Sequence, residues 1–187
     1  MISEDSGSNE DREVKIAVIG PEDAGKTTVV RQLSDKFTTV SPRGKTVGID
    51  FGKCKYYEGV YMFGVPGHLR FKFVMRLGAR NADGMILVID SADPRIDKAV
   101  KIYNIVKSVV KNPHRVVVFA NKQDLPDALS PEQVGELVKR ALGISPPVIG
   151  TVAIKGEGLR EGLDTLLFQP TYNGTNEIDD IEIKGIR

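Results

Sequence analysis

The sequence predicts a doubly wound α/β fold: six mostly parallel strands, one of them antiparallel at the edge, with helices on both faces. Three observations carry this expectation. Apolar runs at residues 14–19, 60–65, 84–90, 115–120 and 148–153 are nearly continuous, as strands covered on both faces require. Segments of helical periodicity separate them, and such alternation implies right-handed βαβ crossovers. A glycine-containing turn, Gly20-Pro21-Glu22-Asp23-Ala24-Gly25-Lys26-Thr27, joins the first run to the first helix. Sheets of this kind bind their ligands at the carboxyl ends of the strands.

The remaining elements follow in order. Residues 49–58, ahead of Gly59, read as an antiparallel edge strand turning into the next. Asp93-Pro94 offers an N-cap and a first-turn proline. Ile96, Ala99, Val100, Tyr103, Val106 and Val110 then recur at helical spacing. Ser130-Pro131-Glu132-Gln133 spells a capping box for a helix ending near Gly143. A last helix is expected over 159–168. Residues 1–13 are acidic and polar and read as a disordered tail. Residues 14–169 are expected to form one domain, and 170–187 read as a polar tail with no element of its own.

With 187 residues, the chain has room for one well-buried domain and not for two of ordinary size. Its formal net charge of +1 argues against nucleic-acid binding driven by overall charge. The single cysteine, Cys54, excludes an intramolecular disulfide and a zinc cluster, and fits a reducing cytosol. No apolar run has the length of a membrane span, and the acidic start does not resemble a signal peptide. Ile2 stands where myristoylation needs glycine, and the ending IKGIR offers no prenylatable cysteine. A cytoplasmic monomer without a lipid anchor is expected, and the sequon at Asn173 is then idle.

The turn after the first strand fits GxxxxGK[ST] in the strand–loop–helix setting that motif requires. Gly20 and Gly25 let the backbone curl so that amides, including those of Asp23, Ala24 and Gly25, face phosphate oxygens. The following helix start, with Lys26, Thr27 and Thr28, adds positive potential. Lys26 would reach the β- and γ-phosphates, and the Thr27 hydroxyl would ligate Mg²⁺.

Asn121-Lys122-Gln123-Asp124 follows the strand at 115–120. A carboxylate at Asp124 can accept from both N1–H and N2–H₂ of guanine, whereas adenine would leave it unpaired. Discrimination of this kind can exceed ~10⁴. Asn121 would tie the base to the phosphate loop, and the Lys122 stem would cover its face. Val152, Ala153 and Ile154 could form a second wall, with a backbone amide reaching guanine O6.

Over residues 14–168 these motifs resemble the Ras superfamily of small GTPases. VFANKQDLPDAL and GEGLREGLDTLL are most similar to Arf proteins and the signal-recognition-particle receptor β subunit, while TVGIDF is closer to Rab proteins. The resemblance implies a small G protein fold of the P-loop NTPase class. It also implies a GTP/GDP switch that hydrolyses GTP with Mg²⁺ at a slow intrinsic rate. By the same resemblance, Thr46 closes onto Mg²⁺ and the γ-phosphate.

The departure lies at Gly64-Val65-Pro66-Gly67-His68, where the family usually carries DxxG. Gly64 replaces the aspartate that holds a metal-bound water, and such outer-shell losses cost about 10- to 100-fold. The replacement resembles a group of bacterial and archaeal small GTPases. Gly67 keeps the amide that senses the γ-phosphate. His68 stands where Ras-like proteins have glutamine, and a neutral imidazole could orient the attacking water. Glu22 occupies a position that is glycine in Ras but not in Arf, so an arginine finger would enter by an Arf-like route. Arg43 is the candidate cis arginine. Effectors and regulators are expected on 46–48 and on 67–76, from Gly67 to Arg76, where some of Phe71, Phe73 and Met75 must be core. Two other readings stay open: a docking module that binds GTP or GDP without appreciable hydrolysis, and a P-loop kinase or ATPase.

Overall fold

The computed structural model describes residues 13–40 and 48–168, together with the backbone of 171–172 and 178–179. One sheet organises the chain. Strands β1 (Val14–Ile19), β2 (Ser34–Val40), β3 (Ile49–Cys54), β4 (Val60–Gly64), β5 (Gly84–Asp90), β6 (Val116–Asn121) and β7 (Val148–Thr151) form seven strands in the order β2-β3-β4-β1-β5-β6-β7. From β4 to β7 all neighbours are parallel, whereas β3 runs antiparallel to both β4 and β2.

The doubly wound class holds, with one strand more than the sequence suggested. Ser34–Val40 pairs with β3 and takes the edge position expected of β3. Its SDKFTTV sequence is mostly exposed, so no buried apolar run announces it. A register shift between Ser34 and Lys36 marks an irregularity at its start. A short antiparallel pair, β8 (Thr171–Tyr172) with β9 (Ile178–Asp179), lies in the stretch that had no assignment.

Helices α1 (Lys26–Leu33) and α5 (Leu159–Phe168) cover one face of the large sheet. Their Val29, Val30, Leu33, Leu163 and Leu166 pack with Ile16, Val18, Ile86 and Phe119. On the other face, α2 (Lys72–Ala79), α3 (Ile96–Val106) and α4 (Pro131–Leu142) bury Met75, Ile102, Val106, Val134 and Val138 against Ile19, Leu87, Ile89 and Val118. The central strands supply side chains to both clusters, which explains their unbroken apolar sequence.

Local chemistry sets the ends. Ser130 and Gln133 form the expected capping box, and Gly143 closes α4 in the left-handed region. At α3 the cap differs from expectation: Arg95, with φ 41°, is the N-cap. Asp93 instead accepts a 2.6 Å bond from Arg95 Nε. Arg115, buried just before β6, donates to the Leu166 carbonyl at 3.1 Å and so serves the last turn of α5.

The chain crosses from the β4 side of β1 to its β5 side, which makes the end of β1 a topological switch point. The loop carrying Gly20 to Gly25 emerges there. Among the described residues no helix is long and apolar enough to cross a membrane.

Helix α5 sits close to the sheet because Gly162 has no side chain. A Cβ there would lie 2.2 Å from Phe119 Cε1 and 2.7 Å from Cζ, against a ring with no exposure. Gly162→Ala is therefore expected to destabilise the domain by about 1–3 kcal/mol through overpacking. Denaturant unfolding with an unchanged m-value would measure it.

Candidate functional site

At the carboxyl ends of β1, β6 and β7, a cleft of about 230 Å³ is lined by Asp23, Gly25, Thr28, Asn121, Lys122, Asp124, Leu125, Ala153 and Ile154. Three segments distant in sequence thus meet at one opening. Leu125 is an apolar lining residue that the motifs did not mark.

The loop after β1 needs unusual backbone angles. Gly20 has φ 142°, Asp23 63° and Gly25 102°, and Gly25 is the N-cap of α1. A Cβ on Gly20 would lie 2.2 Å from the Val88 carbonyl oxygen, so the loop also rests directly on β5. Lys26, almost wholly buried, donates to the Pro21 carbonyl at 2.6 Å. Burial pushes its ammonium down to about 8, while the carboxylates of Glu22, Asp23 and Asp50 pull the other way.

Asn121 connects the loop to the other segments. Its Nδ2 donates to the Ala24 carbonyl at 2.9 Å. Its Oδ1 accepts from the Thr151 hydroxyl at 3.1 Å and from the Ala153 amide at 2.9 Å. Lys122 adopts φ 66° and donates to Asp90 Oδ2 at 2.6 Å. Gln123 donates to Ser91, Ala120 and Leu129 and braces the turn from below. Asp124 is left exposed at the mouth.

The 152–154 wall is not a continuation of β7. Val152 bridges to Glu157, and Ala153–Lys155 forms a 3₁₀ turn. Of the three wall residues, Ala153 already has an acceptor for its amide within the fold, the Asn121 side chain. Val152, Lys155 and Gly156 amides are likewise bonded, to Glu157, Val152 and Ala153 carbonyls. Ile154 is 68% exposed over the cleft.

At the far end of the loop, Thr27 donates to Asp50 Oδ2 at 2.6 Å, a contact absent from the sequence reading. Gly67 packs on the loop so closely that a Cβ would lie 2.3 Å from the Glu22 amide nitrogen and 2.7 Å from Lys26 Nζ. Glu22 is hydrogen-bonded by Lys98 of α3 and lies 3.8 Å from Arg95. The Lys98 bond holds the Glu22 carboxyl below its ordinary range. His68 caps the 3₁₀ turn Leu69–Phe71, its Nδ1 accepting from the Arg70 amide at 3.3 Å. Of Phe71, Phe73 and Met75, some of which were expected in the core, Met75 is buried, Phe71 half-buried and Phe73 72% exposed. Thr46 and Arg43 lie outside the described residues.

Among the described residues no group of three or more His, Cys, Asp or Glu side chains could hold a metal alone. Magnesium does not need one, because it keeps waters and uses one or two protein oxygens beside substrate phosphates. The hydroxyl of Thr27 and the carboxylate of Asp50 are hard oxygens of that kind.

Comparison with known proteins places these features in a wider set. Residues 3–169 match the model of the ADP-ribosylation factor family. ADP-ribosylation factor-like protein 2 of Arabidopsis thaliana is 29% identical over 164 residues, covering 84% of this chain and 87% of the relative. An uncharacterized protein of Methanocaldococcus jannaschii is 34% identical over 116 residues, 62% of this chain and 73% of its own. In three dimensions, the Arl6 (BBS3) small GTPase of Trypanosoma brucei, solved with the nucleotide analogue GppNp, superposes with a TM-score of 0.59 at 22% identity. That match covers 82% of this chain and 95% of the other.

Lys26 provides a test of the site's electrostatics that needs no ligand. Below about pH 8 its charge is carried in both folded and unfolded chains, and folding bears the full desolvation cost. Between about 8 and its ordinary 10.5 the folded chain sheds the proton first, and the cost is relieved. Lys26→Met should therefore raise the melting temperature of the nucleotide-free protein at pH 7, with the gain shrinking as pH climbs toward 10. Paired thermal melts across that window would show it.

Proposed function

Because the chain belongs to the ADP-ribosylation factor family of small GTPases, we propose that the cleft between Gly25, Asp124 and Ile154 holds guanine nucleotide. On this proposal the protein hydrolyses GTP slowly and signals through segments that sense the γ-phosphate. The observation that carries the reading is the Asn121 bridge. One buried amide fixes the turn bearing Asp124 to the loop of Lys26, so base and phosphates meet a single preset frame.

Asp23, Ala24, Gly25, Lys26, Thr27 and Thr28 take the phosphates, the curled backbone supplying amides and Lys26 a charge. Phosphates would reclaim Lys26 from the Pro21 carbonyl and hold its proton, so affinity should fall as pH rises through about 8. Asp124 reads the N1 and N2 edge of guanine. The Lys122 stem, held by Asp90, and Leu125 cover the ring faces. With the Ala153 amide committed, Ile154 is the donor in that wall for guanine O6. Thr27, joined by Thr46 in the GTP state, would hold magnesium, which would supply positive charge against the transferred phosphoryl group. Gly67, already against the phosphate loop, offers its amide to the γ-phosphate. His68 orients the attacking water after its Nδ1 leaves the Arg70 amide.

The second reading, a binding module with negligible turnover, is favoured by the engagement of His68 as a cap. Single-turnover hydrolysis separates the two. The switch reading expects GTP loss above the buffer control, reduced about 10²- to 10⁴-fold in His68→Ala. Equal rates for both proteins and buffer support the module.

Competition binding tests the base site. GDP should displace a fluorescent guanine nucleotide where ATP at the same concentration does not, and Asp124→Asn should shift preference toward xanthine nucleotide. Displacement by ATP would favour the kinase or ATPase alternative.

A further inference from the structure

The family's metal-side aspartate is Gly64 in this chain, yet a carboxylate stands beside that position. Asp50 of β3 and Gly64 of β4 are direct partners in an antiparallel pair, so their side-chain directions share one face of the sheet. That face carries α1, and Thr27 lies in its first turn. A Cβ built on Gly64 would lie 3.0 Å from Asp50 Cβ, 3.3 Å from Asp50 Oδ2 and 3.2 Å from Val30 Cγ2. The space an aspartate at 64 would need is filled by Asp50. There is room for one carboxylate, supplied from the neighbouring strand.

We propose that Asp50 is the outer-shell magnesium carboxylate of this protein, moved one strand over from position 64; the inference rests on the guanine-nucleotide reading above.

The hydrogen bonds have the required polarity. Thr27 donates its hydroxyl proton to Asp50 Oδ2 at 2.6 Å, which leaves the Thr27 lone pairs free for a cation. Thr39 donates to Oδ1 at 2.8 Å and fixes the other oxygen. Two acceptor positions on the carboxylate remain for metal-bound water. Asp50 is 9% exposed, and its hydrogen-bond partners here are neutral hydroxyls. Gly64 is then the complement of Asp50, and hydrolytic machinery is not thereby lost.

The test uses the full chain loaded with methylanthraniloyl-GDP and chased with unlabelled GDP at stepped free Mg²⁺. Wild-type release should slow as Mg²⁺ rises. In Asp50→Asn the Mg²⁺ midpoint should move up about 10- to 100-fold, with the release rate in EDTA near wild type. Thr39→Val, which removes only the other tether, should keep the wild-type midpoint. The exchange Asp50→Gly with Gly64→Asp should recover most of the Mg²⁺ response. A folded Asp50→Asn with a wild-type midpoint overturns the proposal, as does a Thr39→Val shift as large as that of Asp50→Asn. If Asp50→Asn does not fold, the exchanged pair decides: Mg²⁺ response regained supports the transfer, and a folded, Mg²⁺-insensitive protein refutes it. Wild type that binds no GDP removes the nucleotide reading itself, whereas GDP bound without any Mg²⁺ response removes this inference alone.

Discussion

A single buried amide side chain holds the site together. Asn121 ends β6, and its two polar atoms reach three segments: the loop after β1, the end of β7 and the turn beyond it. A Cβ on Gly25 would lie 2.3 Å from Asn121 Nδ2, so the glycine is required by the same contact. Every polar atom of the amide group that the fold engages is spent on architecture. Burying it unpaired would cost about 1–3 kcal/mol, which gives the arrangement its rigidity.

Opposite that rigid side, the loop is touched by groups of a different kind. Gly67 approaches it by backbone contact, and Glu22 engages Lys98 and Arg95 from α3. These contacts lie on segments around Lys26, whereas the turn bearing Asp124 is held by Asn121, by Lys122 on Asp90 and by Gln123. The asymmetry matches a ligand whose two ends are read differently: one by fixed shape, the other by contacts that can respond to charge. Glu22 is acidic beside the loop proposed to take phosphates, and its carboxylate is tied to Lys98 of α3.

Much of this was legible from the chain. The core strands are apolar on both faces, and β1 and β5 fall where the runs place them. The capping box and the last helix were readable because their signals are local. Edge features were not. β2 is exposed and polar, and it becomes a strand only because β3 is there to pair with it. Asp50 was hidden for the same reason. Its nearness to Gly64 and Thr27 is a matter of strand register and crossover, which residue spacing does not encode. Which amide of the 152–154 wall is already engaged was not legible either, because the acceptor that Ala153 uses, Asn121, is 32 positions away. At the start of α3, a left-handed Arg95 displaced the cap that Asp93-Pro94 advertised.

The outermost strand has a consequence for how copies of the protein meet. Among the described residues β2 borders only β3 in the sheet, so its outer row of amides and carbonyls faces no other described strand. Asp35 and Lys36 are both exposed there, and the register irregularity falls between Ser34 and Lys36. Charge and local twist are the two means by which sheets discourage edge-to-edge growth. Both are present at this rim, and both work against its pairing with a further strand.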